Sequence, residues 1–215
     1  MRMPLRHLRP LAFCVGMSLG GAFDLRAGEY LRSFPSFAHP GSRFDSINIA
    51  GSERAPEVEP VFNCGDSGPG SLRAAVESAV SGDTIDMSQL VCSRISLTTG
   101  QIDVLVDALK LVGRADGQLI VDGSALYGLH VGILRHVGTG TLSIYDLTIA
   151  YGENVPAGGC VNSAGNVYLY DSTVFTCVAG SGGTTLMTKG GGIAADGFVA
   201  LQSSVVGGGL SYGGI

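Results

Sequence analysis

NCGDSGPGSLRAAVESAVSGDTIDM, residues Asn63 to Met87, decides how the rest of the chain reads. Ser71 follows Gly68-Pro69-Gly70, and a serine there can cap a helix by offering its side-chain oxygen to free amides. Leu72, Ala75, Val76, Ala79 and Val80 then recur at helical spacing and form one apolar face. Ser81-Gly82 stops the helix. At about ten residues it is too short to stand alone in water, so its apolar face must lie on something. Gly82-Asp83 turns into Thr84-Ile85-Asp86-Met87, which alternates as a strand does. No second convincing helix follows. One helix ahead of strand–turn units predicts a lid on the end of a stack of strands. Such a lid covers edges that otherwise invite aggregation.

Downstream come Arg94-Ile95-Ser96-Leu97, Ile102-Asp103-Val104-Leu105-Val106, Leu109-Lys110-Leu111-Val112 and Leu119-Ile120-Val121, each short and mostly punctuated by glycine. None has the Asn-Gly spacing of a hairpin ladder. Further on the chain repeats itself. GTLSIYDLTIAYG from Gly140 aligns without gaps with GNVYLYDSTVFTC from Gly165 and GFVALQSSVVGGG from Gly197. Leu142, Val167 and Val199 share a column, as do Ile144, Leu169 and Leu201, and Ile149, Val174 and Val206. These columns are apolar and should point inward. Gly192 falls opposite Cys160. The spacings of 25 and 32 residues suit stacked repeats, and the difference reads as an inserted loop, GSGGTTLMTK. Stacking at ~4.8 Å should set Tyr145 on Tyr170, Asp146 on Asp171, and Leu147, Ser172 and Ser204 in one column.

Composition agrees with a solenoid. Glycine numbers 34 of 215 residues without a Gly-X-Y period, which excludes collagen. Only 14% of residues are charged, yet aliphatic and β-branched residues recur throughout, so residues 61–215 do not read as disordered. The formal charge is -5, and a mildly acidic chain lacks the basic face that nucleic acid requires.

Arg2, Arg6 and Arg9 precede an apolar run, Leu11 to Ala22, that ends in Gly20-Gly21-Ala22. This is the layout of a secretory signal peptide over residues 1–22, with Ala27 a second cleavage point. The run is about half of the ~20 residues a membrane-spanning helix needs. Phe13 before Cys14 is too large for a lipidation site. Residues 23–60 show neither helical nor strand periodicity and read as a flexible linker, leaving 61–215 as the folded domain.

Cys64, Cys92, Cys160 and Cys177 remain beyond the leader, and four cysteines allow three disulfide connectivities. The local pairing Cys64–Cys92 and Cys160–Cys177 is the expected one. The alternatives are metal ligation, which no CxxC or neighbouring His supports, and four buried thiols.

The stretch at Asn63–Met87, then LVCSRISLTTGQI, LKLVG, LIVDG and the GTLSIYDLTI and GNVYLYDSTV repeats, resembles bacterial exported β-helix proteins, including polymorphic outer-membrane-protein-like and autotransporter-like surface proteins. The resemblance covers roughly residues 61–215. It implies an all-β fold, a right-handed parallel β-helix (the fold shared with pectate lyases) with a short N-terminal capping α-helix. It also implies export to the cell surface, the outer membrane or the extracellular space, and no particular reaction. The sequence closes on Gly213-Gly214-Ile215, which looks like the opening of another coil, so the domain is read as truncated there and any membrane attachment as lying in a missing C-terminal anchor.

Three functions follow as expectations. The first is a structural or adhesive surface module without an evident catalytic site, meeting a surface polysaccharide or a host or cell-surface protein. The second is a polysaccharide-acting lyase or hydrolase whose catalytic coils lie beyond this stretch. The third is a carbohydrate-binding module, with Tyr145 and Tyr170 as a stacking platform. A lyase needs calcium-binding carboxylates and a basic residue. Asp146 and Asp171 are the weak calcium candidates, but no Arg or Lys falls in the neighbouring columns, and turn aspartates more simply bond local amides. His130, Arg135 and His136 form the one basic cluster, read as a polar strand face. Asp83, Asp86, Asp103 and Asp107 read as a solvated acidic stripe. No phosphate-cradling motif, GxSxG or HExxH occurs.

Overall fold

The computed structural model describes residues 54–126, 128–154, 157–180 and 190–211. The leader, most of the linker, Cys14, residues 181–189 of the inserted loop and the closing glycines therefore lie outside the described residues.

In chain order the elements are β1 (Val58–Pro60), α1 (Leu72–Ser78), β2 (Thr84–Asp86), β3 (Arg94–Ser96), β4 (Ile102–Val104), β5 (Leu109–Val112), β6 (Ile120–Asp122), β7 (Leu134–His136), β8 (Thr141–Tyr145), β9 (Thr148–Ala150), β10 (Glu153–Asn154), β11 (Val161–Ser163), β12 (Asn166–Tyr170), β13 (Thr173–Phe175), β14 (Val178–Ala179), β15 (Ile193–Ala195), β16 (Val199–Gln202), β17 (Val205–Gly207) and β18 (Leu210–Ser211). A 3-10 turn occupies Ser124–Leu126.

The chain visits the sheets in a fixed cyclic order. The first sheet runs β1-β2-β5-β8-β12-β16, the second β3-β6-β9-β13-β17, the third β4-β7-β11-β15, and a short fourth β10-β14-β18. Every pairing between these strands is parallel. Among the described residues the fold is thus all-β apart from one α-helix and a 3-10 turn, with successive circuits of chain stacked strand on strand.

The repeat columns stack as the alignment requires. Leu142 pairs with Val167 and Val167 with Val199; Ile144, Leu169 and Leu201 follow suit. The first two members of each column are fully buried, because successive side chains of a strand point to opposite faces and these turn to the buried one. Val199, Leu201 and Val206, in the last described circuit, are instead 43%, 49% and 39% exposed. The glycines leading each repeat lie in register, and the Gly197 amide donates to the Gly165 carbonyl at 3.0 Å. A Cβ on Gly165 would sit 2.2 Å from the Gly140 carbonyl oxygen, so the close approach of adjacent circuits demands glycine there.

Corners are built from two further columns. Asp146, Asp171 and Ser203 adopt left-handed backbone (φ 50, 47 and 49), as do Tyr151, Thr176 and Gly208 (φ 63, 52 and 63). Serine hydroxyls satisfy corner amides. Leu147 N–H donates to Ser172 Oγ at 3.3 Å, and Ser172 N–H to Ser204 Oγ at 3.1 Å.

Helix α1 covers the beginning of the stack. Ser71 caps it by accepting from the Ala74 amide at 3.2 Å, and Leu72, Ala75 and Val76 are buried against β2 and β4. The helix stops at Ser78, earlier than the apolar spacing suggests. Asp83 takes the Val80 amide at 2.8 Å, and a side chain that offers the backbone another partner competes with helix. β1 pairs parallel with β2, inside the stretch read from sequence as linker.

Asp66 explains the motif before the helix. Its Oδ2 accepts the amides of Thr98 and Thr99 at 2.9 and 2.7 Å and their hydroxyls at 3.0 and 2.7 Å. Its Oδ1 accepts Arg73 Nη2 at 2.7 Å, while the same guanidinium donates to the Gly100 and Gln101 carbonyls. Burial would raise the Asp66 pKa. The Arg73 bond, with the amides of Thr98 and Thr99 and the Thr99 hydroxyl, overcomes that and holds the carboxyl far below its ordinary value. The Cys64–Cys92 disulfide closes the same loop onto the first circuit, and Cys160–Cys177 crosslinks two circuits inside the core.

Candidate functional site

The paired tyrosines stand on the outward positions of the first sheet. Tyr145 and Tyr170 occupy one register column on β8 and β12, and their rings stack at 5.4 Å between centroids with 25° between planes. Lys110, from β5 on the other side of β8, lays its ammonium 4.4 Å from the Tyr145 ring centroid. The repeat alignment places no cation near this column. The structure corrects that, because Lys110 comes from a circuit before the recognisable repeat. Tyr145 is thus held between a ring and a cation, its two faces already engaged. A flat stacking platform needs a free ring face. Tyr145 therefore offers its ring edge and hydroxyl, while Tyr170 stacks through one face, on Tyr145.

Asp146 and Asp171 close the same two strands at left-handed corners. Neither enters an ion pair among the described residues, and no group of three or more His, Cys, Asp or Glu there could hold a metal ion.

The basic cluster is dispersed by the strand alternation. His130 packs its Nδ1 2.8 Å from the buried Glu153 carboxylate. Arg135 points outward and pairs with Asp103 on the neighbouring strand. His136 points inward. Its Nε2 lies 3.1 Å from the Val106 and Asp107 carbonyls, so that nitrogen donates, and its Nδ1 sits 2.8 Å from Ser163 Oγ. A polar outer face describes Arg135 but not His136, which is core.

The acidic residues near the start divide: Asp107 is exposed and Asp86 and Asp103 are partly so, as a solvated face requires, but Asp83 is not part of it. Asp83 is fully buried and accepts the Glu57 and Val80 amides at 2.8 Å besides pairing with Arg54. Burial would raise its pKa; those amides and Arg54 prevail and lower it. Asp86 accepts the Ser88 amide, Asp107 the Thr139 amide, and Asp103 the Arg135 guanidinium. Each is a joint of the frame. The sequence signal that could have found two further joints is the aspartate two residues before its donor, as in Asp116 with Gln118 and Asp122 with Ser124.

Two disulfides mark a chain that folds in an oxidising, extracytoplasmic environment. Among the described residues no helix is long and apolar enough to cross a membrane. No family model matches the chain, and no curated protein or solved structure is detectably similar to it. What the geometry defines is a disulfide-bonded stack of parallel strands carrying an ordered tyrosine–lysine ladder.

Proposed function

We propose that the chain is a right-handed parallel β-helix exported to the bacterial surface or beyond, where it acts as a structural and adhesive module. One observation carries this reading. Four or more circuits hold residue-for-residue register in three sheets, so the chain's organisation goes into a long regular surface rather than into one concave site. The buried Cys160–Cys177 bond and the pinned helix suit a module that must persist without chaperones outside the cell. The basic, apolar and small-residue layout of residues 1–22 supplies the export signal this role requires.

The test has two arms. Beads coated with the oxidised chain should adhere to glycan- or cell-coated surfaces above an albumin control, and an epitope-tagged chain should be reached by antibody on intact cells. In the second arm the chain is incubated with uronate polymers and calcium. Unsaturated products that vanish in Asp171→Ala would replace the adhesive reading with a lyase.

A further inference from the structure

The outer face of the first sheet carries side chains that the core does not use. Leu109, Leu111, Leu142, Ile144, Val167 and Leu169 fill the interior, so the alternate positions Lys110, Ser143, Tyr145, Tyr168, Tyr170 and Gln202 point away from it. Register fixes their layout. Ser143 lies opposite Lys110 on one flank and Tyr168 on the other, with Tyr145 two residues along its own strand. Neighbouring strands are ~4.8 Å apart and residues two apart are ~6.7 Å apart. The small serine is therefore the floor of a notch walled by Lys110, Tyr145 and Tyr168. The walls are held in place. Tyr145 sits between Lys110 and Tyr170, and the Tyr168 hydroxyl donates to Gln202 Oε1 at 3.0 Å.

We propose that this notch binds a neutral polysaccharide, running across the strands with a sugar ring over Ser143. The lining supplies hydroxyls that both donate and accept, an ammonium that only donates, and the Tyr168 ring, flanked in register by the small Ser143 and Ala200, for the apolar side of a sugar. A protein partner would need an apolar interface core, and none of the exposed large hydrophobic residues among those described lies on β5, β8 or β12. A uronate or nucleic acid would meet Asp146 and Asp171 at the strand ends and a chain of net charge -5. The inference rests on the adhesive reading and gives it a face and a ligand class.

The experiment is affinity electrophoresis of the full oxidised chain through gels containing hydroxyethyl cellulose, xylan, mannan or polygalacturonate. At least one of the three neutral polymers should retard it. Tyr168→Ala, and separately Ser143→Phe, which fills the notch, should each weaken that retardation about tenfold, the loss of roughly 1.4 kcal/mol of binding. Arg135→Ala, on the third sheet, should leave it unchanged. Melting curves confirm that each variant folds. Retardation by none of the neutral polymers, by polygalacturonate alone, or undiminished in both notch variants overturns the proposal. Bead adhesion that persists in Tyr168→Ala would then leave the adhesive module standing and remove only this face.

Discussion

Replacing Asp66 should loosen the whole start of the stack. Asp66→Ala removes the acceptor for two backbone amides and two hydroxyls and strips Arg73 of its counter-ion. The Arg73 and Asp66 side chains are 14% and 7% exposed, so the pair counts as nearly buried. Breaking such a pair from one side costs about 3–5 kcal/mol, because the remaining charge stays desolvated. For a domain of this size that lowers the melting temperature by roughly 10 °C. Thermal unfolding followed by circular dichroism at pH 7 measures it, and trypsin cleavage after Arg73 reports the cap alone. The sign with pH follows from the lowered carboxyl. Its folded-state pKa lies below the ordinary 3.8, so its stabilisation is complete above that value and fades as pH falls through it. The melting-temperature gap between the native chain and Asp66→Asn should therefore be widest above about pH 5 and shrink toward pH 3. A gap under about 2 °C at neutral pH, or one that does not narrow in acid, refutes the reasoning.

Gly165→Ala should cost at least about 3 kcal/mol or abolish soluble expression, since its Cβ meets backbone rather than a movable side chain, whereas Gly117→Ala, open but at φ +66, should cost only about 1 kcal/mol; chemical denaturation compares them. Ser71→Ala should lose about 1 kcal/mol of stability with the helix signal reduced, by the same denaturation curves. Mild reductant should open Cys64–Cys92 first, because its sulfurs are only partly covered while Cys160 and Cys177 are fully buried; alkylation and mass mapping after timed reduction give the order. On loop-closure entropy the two bonds, spanning 28 and 17 residues, contribute about 3.5 and 3 kcal/mol, so Cys64→Ser with Cys92→Ser should lower stability by up to that amount.

Much of the frame was legible because stacked repeats write the same column again and again. The inward columns from Leu142 and Ile144, the Gly140–Gly165–Gly197 register and the stacked tyrosines follow from aligning short segments, and both disulfides from pairing cysteines with their neighbours along the chain. The misses have physical causes. β1 is three residues long, contains Pro60, and exists only because β2 offers its edge 26 residues away. The helix end and the acidic residues depended on which amide each carboxylate captures, and that is decided in three dimensions. Lys110 was missed because its strand pairs with β8 at an offset of 33 residues, outside the 25- and 32-residue spacings that revealed the repeat.

β14 lies 25 residues after its partner β10, whereas β15 lies 32 residues after its partner β11, yet both pairs remain parallel and in step. The sheets on either side of the inserted segment do not sense its length. Mutation can therefore lengthen, shorten or rewrite that one stretch without asking any strand to find a new neighbour. The same tolerance makes the stretch a natural position for carrying a foreign peptide.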